Sequence, residues 1–534
     1  MPAAPASDAP AAFTGGIRRR RAAALWLCAV AAVSSLQPLL LGFYLDDWSL
    51  IVKDAGLLEP FSAGLWRSIV ALDPSRPVSI VFRWLAGSVF RDVAAFWHAA
   101  LLAVSAWIVW QAGGMLRTLR IGEAAMSRTQ ALALAAIWAA LPWAAPIRFW
   151  PTLLNVLCFL ALFLWLLTHL LRRWREGRGG FLVPFAAYLA VCLGYEAFYL
   201  QFVPVLLLGI AEIRCCAVPR GAVFRSAAAL VVAQALAGGW YVLTGKLALS
   251  QKPVLQDWAG MLEYNLKAAL PQMAASFGPL KWVAVASFLL LLALSALLWG
   301  RSVAVGRIAR EKAEYCAWVV GAAAAGALLS VLVFSLGGRP LFGTGVEARG
   351  LLFVSFWSAL AAAVLLAVAL RQAAGQTNLW WRRLIVAGTA VAATCLLAGF
   401  MLRLRDWHQA ALLQRRILLS LPVAEMKKTE PGASVLCIWP IDIQGAPVFG
   451  SPWDISSAIR VWYPALADRT FHIYSHWGGV LRWDGMKLRY SSAPPIERPV
   501  PLLYLWRPLH GEFLKIDQSI EVRPDQSWIL SQRQ

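Results

Sequence analysis

RRRRAAALWLCAVAAVSSLQPLLLGFYLDDW, residues 18 to 48, decides how the rest of the chain is read. Its apolar part, Ala22 to Leu45, holds no charged residue. At ~1.5 Å rise per residue, a helix of about 24 residues spans ~36 Å, more than the ~30 Å hydrocarbon core of a bilayer. Arg18, Arg19, Arg20 and Arg21 precede it and should hold its start in the cytoplasm. Asp46 and Asp47 then stand where the helix leaves the membrane on the far side. Ionised carboxylates beside lipid are costly, so an adjacent pair there is a functional candidate. The plainer alternative is that Asp46 caps the next helix and both carboxylates are solvated. The segment is too long for a removed signal peptide and lacks a small-residue cleavage site, so it reads as a retained anchor.

The whole composition agrees with that reading. Of 534 residues 60% are hydrophobic and 14% charged, with a mean hydropathy of +0.62. A soluble globular chain has roughly 45–50% apolar and about 25% charged residues, so this is a polytopic membrane protein. The 28 tryptophans suit interfacial belts. The net charge of +21 comes largely from short basic loops between apolar spans, where it sets topology. No separate basic domain exists, which argues against nucleic acid as a partner. Of the eight cysteines only Cys437 lies in the C-terminal tail, and no CxxC metal spacing occurs.

The chain divides into a disordered basic cytoplasmic N-terminus (1–21), a transmembrane domain (22–402) and an outer C-terminal domain (403–534). A long first outer loop (46–92) follows the first span. Apolar residues recur among charges at Leu65–Val70 and Val78–Phe90, the pattern of interfacial helices, interrupted by Pro74 and Pro77. Arg83, Gly87 and Arg91 share a helical face there. The second span is about Val93–Met115. The third and fourth, Gln130–Ala145 and Thr152–Leu171, form a hairpin with its tip at Pro146–Pro151.

Phe181–Ile213 is long for one span and short for two. We read two short spans with Glu196 at the outer turn, which leaves more basic residues in the cytoplasm than the alternative does. Further spans follow at Ala227–Leu243, Trp282–Trp299, Tyr315–Leu336, Leu351–Leu370 and Leu384–Leu402, with an amphipathic helix near Trp258–Leu270. Eleven spans starting inside put the C-terminus outside. The tail then opens with a juxtamembrane helix, Asp406–Leu421. It holds a buried-strand pattern at Ser434–Trp439 and a hairpin signal at Leu481–Leu488, and so reads as a small α/β domain.

Several motifs fail on context. Gly343-Thr344-Gly345-Val346-Glu347-Ala348 has dinucleotide-fingerprint letters but follows a membrane span, not a strand. His472 and His476 fall in a strand pattern, where i and i+4 lie ~13 Å apart. No Walker motif supports ATP-driven transport. What remains is a set of charges that the topology places on one side: Asp46, Asp47, Asp73, Arg76, Arg83, Arg91, Arg148, Glu196, Arg339, Glu347 and Arg349. A carboxylate there can act as general base on a hydroxyl. Arginines can hold a lipid phosphate bidentately and stabilise it as it leaves. Each arginine taken singly also fits an ordinary interfacial anchor.

Phe43-Tyr44-Leu45-Asp46-Asp47-Trp48 after the first span, then Pro74-Ser75-Arg76-Pro77, Gly194-Tyr195-Glu196-Ala197-Phe198 and Glu347-Ala348-Arg349-Gly350-Leu351, resemble bacterial members of the GT-C superfamily. These are polytopic glycosyltransferases that use polyprenyl-phosphate-linked sugars. The resemblance covers the whole architecture and implies an Asp of the first outer loop as catalytic base, without deciding between Asp46 and Asp47. It implies transfer of a sugar, with inversion, from polyprenyl phosphate (undecaprenyl phosphate in bacteria) to an envelope glycan, lipid or protein. Arg76, Arg83, Arg148, Arg339 and Arg349, with Glu196 and Glu347, would bind donor phosphate and substrate. The implied location is the bacterial inner membrane, with the N-terminus cytoplasmic and the C-terminus periplasmic. No metal is demanded, though Asp46 and Asp47 could hold Mg²⁺ or Mn²⁺. A lipid or polysaccharide flippase, and a non-enzymatic partner in envelope assembly, are the competing classes.

Overall fold

The computed structural model describes residues 9–44, 47–48, 75–119, 126–244, 258–304, 310–337, 339, 341, 346–375, 379–428, 433–437, 442–449, 452–466, 470–473, 481–484, 487–490, 496–499, 502–507, 510–516, 519–522 and 528–530. Asp46, Asp73, Pro74, Leu65–Val70, Gly343–Gly345 and His476 lie outside these residues, as does the side chain of Glu347.

Helix α1 (Ala9–Ser35) contains the arginine run within it. The expected disordered leader is thus helical from Ala9, because alanine-rich sequence extends a helix backward at little cost. The span also ends earlier than the expected Leu45. Pro38 sits in the first turn of the short α2 (Gln37–Leu40), and Leu41 is already extended at φ −100°, ψ 152°. A proline lacks the N–H that would continue the ladder and restricts the residue before it.

α3 (Pro77–Phe90) is the described helix of the first outer loop. It stops at Arg91, whose φ of 48° cannot continue a helix. α4 (Ala94–Thr118) follows. α5 (Arg128–Ala140) opens with a capping box between Ser127 and Gln130. Beyond it the chain bends by 64° into Pro142–Phe149, which includes α6 (Ala145–Phe149). α7 (Leu154–Arg175) follows a turn at Pro151–Leu153.

The stretch expected as the hairpin tip, Pro146–Pro151, lies between the bend after α5 and the turn before α7, and every residue from Leu141 to Leu157 is buried. Its aromatic residues are the reason. Phe149 packs edge-on against Phe400 (5.3 Å) and Trp407 (5.9 Å), and Trp143 against Phe277 (5.7 Å). Such rings gain more from burial than a solvent turn could offer.

α8 (Leu182–Gly194) and α9 (Phe202–Cys216) flank a turn at Glu196–Phe198, as expected for two short segments. Leu182–Gly194 has 13 residues, about 20 Å, shorter than the ~30 Å hydrocarbon core, so a crossing there requires local thinning of the bilayer. Gly194 is required where α8 meets Phe159, whose ring occupies the space of any Cβ. α10 (Arg220–Leu243), α11 (Trp258–Ala275), α12 (Lys281–Ala304), α13 (Arg310–Leu336) and α14 (Leu352–Gly375) complete the bundle before its last helix. α11 and α12 form a second bent pair, at 110°.

Among the described residues eight helices are long and apolar enough to cross a membrane, or up to ten if each bent pair is one span. The fold is that of a multi-pass helical membrane protein. α7 and α14 are its centre, with 78% and 72% of their apolar windows buried, against 17% for the first span and 28% for α10.

α15 (Leu379–Leu419) joins the expected last span and the expected juxtamembrane helix into one helix of 41 residues, about 60 Å long. No Gly or Pro interrupts it after Gly399. Its far end carries the C-terminal domain. Gln414 Nε2 donates to Val448 O, Tyr463 Oη donates to Leu418 O (3.0 Å), and Arg403 Nη1 donates to Gln444 O (3.2 Å). That domain contains α16 (Val423–Lys428), β1 (Ala433–Cys437), β2 (Asp442–Ile443), β3 (Ala446–Pro447), α17 (Pro452–Trp462), β4 (Thr470–Ile473), β5 (Leu481–Trp483), β6 (Lys487–Tyr490), β7 (Ile496–Pro499), β8 (Leu502–Arg507), β9 (Glu512–Ile516), β10 (Ile520–Val522) and β11 (Trp528–Leu530).

One sheet has the order β4-β1-β8-β9, with β1 parallel to both neighbours. A second has the order β11-β10-β5-β6-β7 and is antiparallel, and β2 pairs with β3 in a small two-stranded sheet. The expected hairpin is present, with Trp483 opposite Leu488. His472 lies in β4 opposite Val435, in the strand setting that its sequence predicts.

Candidate functional site

The site is built around the N-terminal end of α7. A helix start leaves several N–H groups without intrahelical acceptors and carries partial positive charge. Asp47 answers both needs. Thr152 N–H donates to its Oδ1 (2.7 Å), and the Thr152 hydroxyl donates to the same oxygen. Tyr44 N–H donates to Oδ2 (2.8 Å), while Asp47 N–H returns a bond to Tyr44 O (2.9 Å). The carboxylate is fully buried, and its charge is met by fixed donors.

The strap before it is equally pinned. His98 Nε2 bonds Gly42 O (2.8 Å), His408 Nδ1 bonds Leu40 O (2.6 Å), and the Tyr44 hydroxyl donates to Trp407 O (2.8 Å). Asp47 therefore ties the segment after the first span to the central helix. Of the adjacent pair it is the capping member.

On the neighbouring side, Arg76 sits just before Pro77 at the start of α3. Its Nη2 forms an ion pair with Glu196 Oε1, both side chains being about one-fifth exposed. Its guanidinium also lies 5.1 Å from the centre of the Tyr195 ring. α3 is held to α7 by a bond from Asn155 Nδ2 to Ser79 Oγ and by the Phe82–Phe159 contact. Glu196 Oε2 has no hydrogen-bond partner among the described residues.

From a third direction come Arg349 and Arg339. The Arg349 guanidinium lies 5.7 Å from the ring centre of Trp150, two residues before Thr152. Asn265 on α11 fixes the chain near Arg339. Its Nδ2 donates to Arg339 O (3.0 Å) and its Oδ1 accepts from Leu341 N–H (2.9 Å). The Arg339 side chain is exposed. Burial raises the Tyr195 hydroxyl above its ordinary pKa, and Glu196 raises it further; Arg349, Arg76 and Arg339 oppose them. So Arg76 touches the Tyr195 ring directly, and the charges of Glu196, Arg349 and Arg339 reach the same tyrosine.

Arg148 goes elsewhere. It was expected on the outer face with the other arginines, but it is 1% exposed, at the bend between α5 and α7. Its Nη1 donates to Ala139 O, Nη2 to Ser34 Oγ (3.1 Å) and Nε to Ser105 Oγ (3.4 Å). The Phe400 ring lies 4.9 Å from its guanidinium, and Gln37 Nε2 donates to its carbonyl (2.5 Å). It pins α1, α2, α4, α5 and α15 together. Arg83 is half-buried on α3, away from its N-terminal end, and Arg91 is that helix's C-cap.

Residue-type reasoning missed Thr152, Tyr195, Trp150 and Asn265. Tyr195 and Trp150 stand inside quoted stretches, Gly194–Phe198 and Pro146–Pro151, without being singled out there, and Thr152 follows the second proline of the latter. It also missed a second charged centre. Arg175 Nε and Nη2 hold Glu212 Oε2 and Oε1 (2.8 and 2.5 Å), Tyr315 Oη donates to Glu212 Oε1 (2.6 Å), and Arg175 Nη1 donates to Thr118 O. Glu212 in an apolar run was its only signal.

Among the described residues no group of three or more His, Cys, Asp or Glu side chains could hold a metal ion. Asp47, with both oxygens on N–H donors, is placed as a capping anion. No protein-family model matches the chain, and no curated protein matches it.

Proposed function

We propose that this chain is a membrane glycosyltransferase that moves a sugar from a polyprenyl-phosphate donor to an envelope glycan, lipid or protein. One observation carries the reading. Arg76 pairs with Glu196 and lies over the Tyr195 ring, Arg349 lies over Trp150 beside the turn to which Asp47 is tied, and the charges of Arg349 and Arg339 also reach Tyr195. A cationic cluster at a helix-bundle end suits a lipid phosphate, and arginine holds phosphate in a forked geometry.

In this reading Asp46 is the base. Its carboxylate takes the proton of the acceptor hydroxyl as that oxygen attacks the anomeric carbon. The bond from that carbon to the phosphate oxygen breaks, and polyprenyl phosphate leaves against the arginines with inversion of configuration. Asp47, whose oxygens are committed to backbone N–H groups, positions the loop. The chemistry demands no metal; Mg²⁺ or Mn²⁺ at the pair would add charge neutralisation. Eleven segments then cross a bacterial inner membrane, counting Leu182–Gly194, with the N-terminus cytoplasmic and the C-terminal domain outside.

The test is incubation of the purified protein with defined polyprenyl-phosphate sugars and an acceptor, scoring released lipid phosphate. Absence of release with every donor tried, while labelled lipid crosses vesicles containing the protein, would favour a flippase. Arg148, buried among helices, is the observation that keeps this second reading, because intramembrane charges mark transport pathways. Against it, its guanidinium donors are engaged with internal oxygens. A non-enzymatic assembly partner would tolerate Asp46→Asn. Reporter fusions after Arg175 and Arg307 should read cytoplasm, and fusions after Asp257 and Gln534 the outer side; a cytoplasmic Gln534 removes the topology.

A further inference from the structure

The opposite end of α7 carries a feature that sugar transfer does not use. Between α4 and α7 lies a cavity of about 300 Å³, lined by Trp110, Gly114, Trp165, His169 and Arg172 among others. It sits on the outward side of the bundle, because Trp110 is 52% and Trp165 37% exposed. The guanidinium of Arg128 lies 3.9 Å from the ring centre of Trp110. Trp165 stacks on His169, with ring centres 5.2 Å apart and planes at 22°. Arg172 is exposed at the end of the groove. Among the described residues no carboxylate lines it; Glu176, four residues after Arg172, faces Arg173 and Arg178 at 3.9 Å each. A Cβ built on Gly114 would meet nothing within 4 Å, so the missing side chain there leaves the cavity open.

Indole rings facing outward beside two arginines at a helix end form a surface that is apolar along one wall and cationic at one mouth. The geometry points to a binding site for an anionic glycerophospholipid. Its headgroup phosphate pairs with Arg172 and Arg128, and an acyl chain lies along Trp110 and Trp165. Basic clusters at the membrane surface select anionic headgroups, and tryptophan favours the level where chain meets headgroup. A zwitterionic lipid offers the same chains with a cation beside its phosphate, so it binds less well. The site stands about 30 Å of helix away from the proposed transfer site and does not depend on that proposal.

The experiment is native mass spectrometry of the full-length protein in detergent with added phosphatidylglycerol, phosphatidylcholine or inorganic phosphate. The protein should retain phosphatidylglycerol and little phosphatidylcholine, and inorganic phosphate should not displace the lipid. Gly114→Leu, which fills the cavity, and separately Arg128→Gln with Arg172→Gln, should each lower retention about tenfold. Arg178→Gln, outside the groove, should leave it unchanged. Undiminished retention in the arginine pair, equal retention of phosphatidylcholine, displacement by inorganic phosphate, or an equal loss in Arg178→Gln would each overturn the site. The arginine variants decide the matter if Gly114→Leu fails to elute as a single folded species.

Discussion

α7 is tied by charge at both ends, and the two ends differ. At its C-terminus Arg175 meets Glu212 through two nitrogens, Tyr315 completes the carboxylate, and Thr118 O accepts from the remaining nitrogen. One cation faces one anion, and each of the three guanidinium nitrogens has a protein acceptor. At its N-terminus Asp47 is met by backbone donors, and beyond it Arg76 pairs with Glu196, while the charges of Arg349 and Arg339 also reach Tyr195. Both arrangements follow the helix macrodipole, with an anion at the start and a cation at the end. The closed network is what architecture needs; the cluster rich in cations is what an anionic ligand needs. A charge in a membrane protein is thus read by what surrounds it, since burial alone describes Glu212 and Asp47 equally.

The largest effect should break the N-terminal end alone. Asp46→Asn is expected to lower transfer by ~10²–10⁴-fold, the usual loss for a general base, with protein yield and donor binding retained. Turnover of lipid-phosphate release measures it, and full activity would end the mechanism proposed here. Next, Glu212→Ala leaves Arg175 beside an empty space. Removing one partner of a buried pair costs ~3–5 kcal/mol, so the variant should lose folded protein on size-exclusion chromatography. Replacing both, Arg175→Leu with Glu212→Leu, should recover most of the folded yield and normal turnover. If the double variant folds but is inactive, the closed network is part of the chemistry and the contrast between the ends fails.

The sequence made much of this contrast readable. Each expected span overlaps a helix, because long uncharged runs have one solution in a bilayer, although the first ends at Leu40 and the third is bent by 64°. Of the residues singled out from short motifs, Arg76 and Glu196 form an ion pair, and Arg349 lies over Trp150. What failed was local. Pro146-Ile147-Arg148-Phe149-Trp150-Pro151 has the letters of a turn, but its burial is not legible there, because the contacts that bury Arg148 come from Ser34, Ser105 and Phe400, far away in sequence. Leu402 ends the apolar run of α15, but a change of polarity does not stop a helix when neither Gly nor Pro follows. Glu212 was passed over because its partner lies 37 residues earlier in a loop-like basic run.

An intermediate effect sharpens the comparison on the ligand side. Arg76→Ala or Arg349→Ala should weaken donor use by ~2–5 kcal/mol if each makes a desolvated contact with phosphate. The kcat/KM for the polyprenyl-phosphate sugar reports this. Lys267→Ala changes an exposed charge paired with Glu263 and should stay within about 0.5 kcal/mol. Equal losses in all three would mean that general surface charge attracts the donor.

The smallest effects concern Asp47, and they separate a cap from a base. Asp47→Asn keeps the shape but turns one acceptor oxygen into a donor. That amide must then face either Tyr44 N–H or the Thr152 donors, at a cost of ~1–3 kcal/mol in stability. Thr152→Val keeps the β-branched shape and the backbone N–H and removes only the hydroxyl donor, costing about 1 kcal/mol. The two substitutions touch one oxygen, so their effects should couple by at least ~0.5 kcal/mol in a double-mutant cycle. For a cap, both variants lower the melting temperature, while turnover per folded molecule stays within a few-fold. For a base, Asp47→Asn removes ~10²-fold or more of the rate and Thr152→Val does not follow it. The bonds from Thr152 and Tyr44 fill both carboxylate oxygens without any substrate present, so the expected outcome is the first, with the proton passing to Asp46.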